Sequence, residues 1–319
     1  MKPVRSLLLL LAGILATRLD AQAPQPTSDE IVVTAQRSGI PVWRVRGAAG
    51  TLVLVGTIEG VAKGTNWNPD GLAAALRQAD QVMFPQAVQI SAGFVSIMGA
   101  PGKVRRMERL PAGQTLADFL TANQFAQLLP FRERGVLKPG FETRRPLFVA
   151  HDLMEAAKGE RPSGFLSISK VDWKSDPQGF VRSTIDRYHL KLVPLRKESL
   201  TGALRRIAAM PPSRQTPCLL AAARFAQADP STYRARSQAW VTRRVAEVVR
   251  SPAEHAFTTC ASTVREAQDA QTIEASLLGV LRQPITTVAV LEISTLATEG
   301  GILDKLSAAG FEITGPAWK

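Results

Sequence analysis

Cysteine and histidine are the scarcest chemistry in this chain of 319 residues, with two of the first and three of the second. A zinc ribbon, an iron–sulfur protein or a His-rich metal centre needs three or four such ligands close together, so these classes are excluded. His151, His189 and His255 lack the i, i+4 spacing of an HExxH zinc helix. The nucleophile elbow Gly-x-Ser-x-Gly is missing too: Ser96 has Gly93 and Gly99 three residues away on each side, which does not fit the tight strand-to-helix turn. Neither a P-loop nor a Rossmann glycine fingerprint occurs. Aromatic residues are only 6% of the chain, and none alternates with the basic clusters to stack bases, which argues against a nucleic-acid partner. No segment after the N-terminus keeps 18 apolar residues in a row, so no spanning helix is expected.

What is present is enough apolar material, 45% of residues, to fill a sizeable core. At the N-terminus Lys2 and Arg5 precede an apolar run over 7–16, with small residues at Ala21 and Ala23. That order reads as a secretory signal over 1–23, cut after Ala23 or after Ala21, and implies a periplasmic or secreted protein. Arg18 and Asp20 stop the run well short of the ~20 apolar residues a spanning helix needs. Removing Lys2, Arg5, Arg18 and Asp20 takes the formal charge from +12 to +10. In an exported chain so basic a balance suits anionic lipid surfaces or acidic envelope polymers. The clusters at 103–106, 132–138, 144–145 and 243–244 are short, however, and read first as solvated faces of an Arg-rich protein. Export also predicts that Cys218 and Cys260 pair as a disulfide, the other reading being two buried thiols.

Residues 24–41 read as a flexible arm, with 30–37 extended, and 42–319 as the domain. Strand patterns at 42–45 and 52–55, separated by Gly47 and Gly50, predict a hairpin. Leu72, Ala75, Leu76 and Ala79 lie on one face of a helix starting near Asn66–Asp70, and a strand follows at 81–84. Thr115 and Thr121, the latter with Gln124 three residues on, cap helices. Helical patterning continues over 146–157, 179–188, 200–210, 218–226, 233–249 and 261–281. Strand 286–293, helix 302–309 closed by Gly310, and strand 311–314 end the chain. The fold class is therefore α/β, a mixed sheet formed by N- and C-terminal strands with a largely helical middle.

Several patches resemble the secreted branch of the TraB/GumN family. They are Trp43-Arg44-Val45-Arg46-Gly47, Leu52-Val53-Leu54-Val55-Gly56-Thr57-Ile58-Glu59, and the helix and strand of 72–84. Leu110-Pro111-Ala112-Gly113-Gln114-Thr115-Leu116, Val193-Pro194-Leu195 and the tail from Gly301 to Ile313 complete the likeness over roughly 42–315. The resemblance implies a metal-dependent protease or related hydrolase with two His-bearing motifs and several glutamates. Here the first histidine position holds Glu59, the next glutamate position Pro85, the glutamate after Leu195 is Arg196, and the second histidine position falls at Ser294-Thr295. Proline supplies no ligand and arginine repels a cation. The expectation is thus a degenerate site: no catalytic residues, no bound metal, no cofactor, and a candidate pocket of Glu59, Arg196, Ser294 and Thr295 in which Arg196 neutralises Glu59. The reading is an envelope binding or accessory protein whose ligand the sequence does not name. The alternative is a hydrolase rebuilt around Glu59 with carboxylates such as Glu292 or Glu299. His151-Asp152, following an apolar helical stretch, reads as a capped or surface pair.

Overall fold

The computed structural model describes residues 27–84, 87–89, 106–158, 177–195, 197–264 and 267–319. The expected signal at 1–23 lies outside these residues, as do Pro85, Arg196 and the basic residues Lys103 and Arg105. No helix among the described residues is long and apolar enough to cross a membrane.

Six strands form one mixed sheet. The hairpin is β1 (Val42–Arg46) and β2 (Thr51–Thr57), antiparallel with Val45 opposite Leu52. β3 is Gln81–Phe84, as read from the sequence, and β5 is Leu192–Pro194. β7 (Thr286–Glu292) and β8 (Glu312–Thr314) come from the C-terminal end. The order β5-β3-β7-β2-β1-β8 inserts β7 between β2 and β3, parallel to both. β4 (Ala87–Gln89) and β6 (Lys197–Ser199) form a separate parallel pair. Four parallel strands, β2, β7, β3 and β5, therefore present their C-terminal ends along one edge, and β2 and β7 stay paired up to Thr57 and Glu292.

The central strands are buried on both faces, which is why β2 and β7 read as near-continuous apolar runs. Trp43 is fully buried, its indole N–H donating to the Pro316 carbonyl at 2.8 Å. Gly56 is required beneath it: a Cβ there would meet the Trp43 ring at 3.0 Å.

A second core lies in the helical region. Helices Pro146–Ala157, Pro212–Gln227 and Pro252–Val264 bury Leu153, Leu219, Ala222, Ala253 and Phe257 against one another, and the small Ala221-Ala222-Ala223 run permits the close approach. Cys218 and Cys260 join the last two helices as a disulfide with Cα atoms 4.5 Å apart. The helix Pro230–Val241 belongs to both cores, through Trp240 to the sheet and through Tyr233 to the helical cap.

Three expectations need correction. Residues 30–37 are not an extended arm: Ser28–Gln36 is an α-helix, started by a capping box in which Thr27 accepts from the Glu30 N–H and Glu30 accepts from the Thr27 N–H. Ile31 and Ala35 are buried one turn apart in the sheet core, and Asp29 pairs with Arg44 of β1. The helix read over 233–249 breaks into Pro230–Val241 and Val245–Val249, with Arg243 at φ 59° between them. The Arg144-Arg145 cluster is no solvated face. Arg144 pairs with buried Asp152, and Arg145 donates to the Met210 carbonyl at 3.3 Å. Arg132, Arg134, Arg243 and Arg244 are exposed, as expected of a solvated face.

Candidate functional site

β2 leaves the sheet through Ile58, Glu59 and Gly60, and one helix holds that exit in place. Tyr233, Arg236, Ser237 and Trp240 fall at i, i+3, i+4, i+7 on the inner face of Pro230–Val241. The Trp240 indole N–H donates to the Gly56 carbonyl at 2.8 Å. Arg236 Nη1 donates to the carbonyls of Glu59 at 3.2 Å and Gly60 at 3.4 Å. The Ser237 hydroxyl accepts from the Ala62 N–H at 2.9 Å. Gly60 takes φ +68°, and a Cβ there would lie 2.6 Å from the Tyr233 hydroxyl, so backbone sign and space both demand glycine.

Arg236 is only 1% exposed and finds its counter-ion in Glu254, with Nε and Nη2 donating to Oε2 at 2.9 and 2.6 Å. Its guanidinium also lies over the Phe257 ring, 4.7 Å from the centroid. Beside it, the side chain of Lys158, just past the helix Pro146–Ala157, is 13% exposed. Its ammonium is 2.8 Å from Glu155 Oε1 and 5.4 Å from the Phe257 centroid. Burial alone would lower the Lys158 pKa, but the carboxylates of Glu59 and Glu155 outweigh it and hold it above the usual ammonium value. The stability this gives is present below about pH 10 and is lost as pH rises through the raised value.

Of the residues expected in a pocket, Glu59 is exposed at the end of β2, and Lys158 is a cation in electrostatic reach of it. Ser294 is buried and Thr295 half-buried in the helix Ile293–Ala297, which leaves β7 beside the Glu59 loop because Thr57 and Glu292 are register partners. Glu292 accepts from Gln178 Nε2 at 3.4 Å, and Glu299 is exposed. Sequence reasoning missed Lys158, Arg236 and Glu254. The signal for Arg236 was its place in the apolar i, i+3, i+4, i+7 stripe.

His151-Asp152 is not the surface pair expected: Asp152 is buried in the helix Pro146–Ala157 and bonded to Arg144. Burial pushes the Asp152 carboxyl up, but His151 and Arg144 together bring it below the usual carboxylate range. Arg144, bonded through Nη1, is the stronger partner, since His151 Nδ1 stands 3.7 Å away, beyond hydrogen-bond length. A carboxyl depressed in the folded state stabilises above about pH 4 and loses that contribution as pH falls further. Wild-type protein should therefore lose more unfolding free energy than Asp152→Asn between about pH 5 and about pH 3, measured by urea titration. Equal losses would count against the pairing.

A divalent ion at the strand ends would need about three converging protein donors. Among the described residues no group of three His, Cys, Asp or Glu side chains is placed to hold one. Glu155 is bonded to the Lys158 ammonium instead, and Glu59 is within electrostatic reach of the same charge. The described residues do not fit the metal centre that the resemblance implies.

A model of the TraB/PrgY/gumN family matches residues 41–315. The chain belongs to that family. Neither a curated protein nor a solved structure matches it. The span shared with the TraB/PrgY/gumN family begins one residue before β1 and ends one residue after β8, so the family unit is the whole sheet with its helical cap. The helix Ser28–Gln36 lies outside that span yet packs into its core.

Proposed function

We propose that this chain is an exported member of the TraB/PrgY/gumN family that has lost metal-dependent hydrolysis and acts in the cell envelope as a binding or accessory protein. The observation that carries the reading is Glu59 itself: where the family resemblance calls for a histidine ligand, this chain has a carboxylate, within electrostatic reach of the Lys158 ammonium. Catalysis by a bound ion needs an open coordination position on a metal held by about three ligands, and a neighbouring ammonium opposes the metal's entry. Pro85, Arg196, Ser294 and Thr295 at the remaining motif positions point the same way. Export rests on the 1–23 pattern, and the basic surface left after cleavage suits an anionic envelope polymer or lipid surface.

Purified mature protein is expected to carry no stoichiometric Mn, Co or Zn by elemental analysis and to show no peptidase activity when these ions are added. Stoichiometric metal, or a metal-stimulated activity abolished by Glu59→Gln, would establish the rebuilt hydrolase instead. N-terminal sequencing of protein recovered from the periplasm or medium should begin at Gln22 or Pro24; an N-terminus at Met1 would contradict export.

A further inference from the structure

The opposite edge of the sheet, where the parallel strands begin, carries a row of polar residues that the strand-end site does not use. Pairing fixes their order. Arg46, the last residue of β1, is opposite Thr51 of β2, and Thr51 is opposite Thr286 of β7. The Thr286 N–H donates to Asp80, just before β3, at 2.7 Å, and the Lys191 carbonyl, just before β5, accepts from the Val82 N–H at 2.9 Å. Neighbouring strands lie ~4.8 Å apart, so from Lys191 to Arg46 the row spans roughly 19 Å.

A cavity of about 240 Å³ opens in the middle of this row, with Thr51, Gln78, Asp80 and Thr286 in its lining. Its backbone wall is tight: a Cβ on Gly50 would lie 2.1 Å from the Gln283 carbonyl oxygen, so the hairpin turn and the 281–285 turn meet with no room for a side chain. The volume falls below the ~300 Å³ at which pockets begin to take drug-sized ligands, and suits a single sugar ring. Cations flank the cavity. The helices Pro69–Gln78 and Pro177–Tyr188 both run into this edge, and at their ends the Arg77 guanidinium lies 4.8 Å from the centroid of the Tyr188 ring, itself 42% exposed. Lys191, three residues beyond Tyr188, and Arg282, on the turn packed against Gly50, are both exposed.

We propose that this edge binds an acidic polysaccharide, with one sugar ring in the cavity and the carboxylates of neighbouring units on Arg77, Lys191 and Arg282. The proposal rests on the binding-protein reading above and gives it a partner class and a surface. Hydroxyl, amide and carboxylate groups in the lining exchange hydrogen bonds with sugar hydroxyls, while the Asp80 charge turns an anion away from the cavity and toward the basic rim. Tyrosine offers an apolar face with a polar tip, and guanidinium matches a carboxylate bidentately. An anionic lipid surface is matched less well, because a flat array of phosphates does not enter a small cavity that holds a carboxylate.

The test is calorimetric titration of the purified mature protein with tetragalacturonate, with maltotetraose as a neutral oligosaccharide of the same length, and with phosphatidylglycerol vesicles. Wild type should bind tetragalacturonate, more weakly as salt rises, and should bind maltotetraose at least about tenfold more weakly. Lys191→Glu/Arg282→Glu should weaken tetragalacturonate binding at least about tenfold, and Tyr188→Ala should weaken it as well. Arg132→Glu/Arg134→Glu, the same change of charge on the exposed side of the helical cap, should leave it within about twofold. Should the first charge reversal fail to fold, Lys191→Gln/Arg282→Gln gives the same comparison. Absence of tetragalacturonate binding, equal binding of maltotetraose, equal losses in the two charge reversals, or binding to the vesicles alone overturns the site and leaves a non-hydrolytic protein intact. New reducing ends released from tetragalacturonate, or metal-stimulated peptidase activity, overturn the binding-protein reading itself.

Discussion

Glu254→Ala is expected to cost the fold roughly 3–5 kcal/mol, because it leaves the Arg236 guanidinium buried with no counter-charge. Urea titration should show the midpoint falling with little change in slope, since the surface exposed on unfolding stays nearly the same. The double variant Arg236→Met/Glu254→Leu should be less harmed than the single one. It removes both charges, although the Glu59 and Gly60 carbonyls lose their donor. A single variant as stable as wild type would mean that the pair contributes nothing. A double variant worse than the single one would mean that anchoring the Glu59 loop matters more than charge balance.

The second large effect concerns the disulfide. Cys218 and Cys260 are 42 residues apart in sequence, and closing a loop of that length removes chain entropy worth ~4 kcal/mol from the unfolded state. Reduction, or Cys218→Ser/Cys260→Ser, should lower the melting temperature by an amount comparable to the loss of the Arg236–Glu254 pair. Mass analysis of oxidised native protein should find no alkylatable thiol. Two alkylatable cysteines in that material would refute the bridge. The loss should register most strongly in the helical cap, because the bond ties Pro212–Gln227 to Pro252–Val264 inside the second core.

Much of the sheet was legible because its strands are short apolar runs between turn residues. β3 and the helix Pro146–Ala157 have the boundaries read from the sequence. Gly310, at φ +85°, ends its helix as the pattern predicted. The helix at 28–36 was misread because Ile31-Val32-Val33 is a β-branched run. Its capping box, Thr27 with Glu30, was in the sequence, and burial of Ile31 and Ala35 outweighs the local preference. The break at Arg243 had no glycine or proline to announce it.

Neighbouring strand ends were legible in the sequence, and the charges packed around them were not. The β2–β7 pairing brings the Glu59 loop beside the helix that carries Ser294 and Thr295, while Arg196 lies outside the described residues. Lys158 could not be inferred, since the Glu59 charge that acts on it is far off in sequence and comes within reach only through tertiary packing. A buried Arg236–Glu254 pair likewise looks from sequence like two solvated charges on separate helices.

The position of β7 also sets an order of events. It is the strand between β2 and β3, and the Thr57 hydroxyl donates to the Leu291 carbonyl across 234 residues of chain. Until residues 286–292 have left the ribosome, the N-terminal hairpin and β3 have no partner between them, and the sheet has no centre. Pairings of such long sequence separation form slowly, because loop closure precedes the contacts that reward it. The sheet therefore cannot close until residues 286–292 have been made, whereas the second, helical core needs none of them.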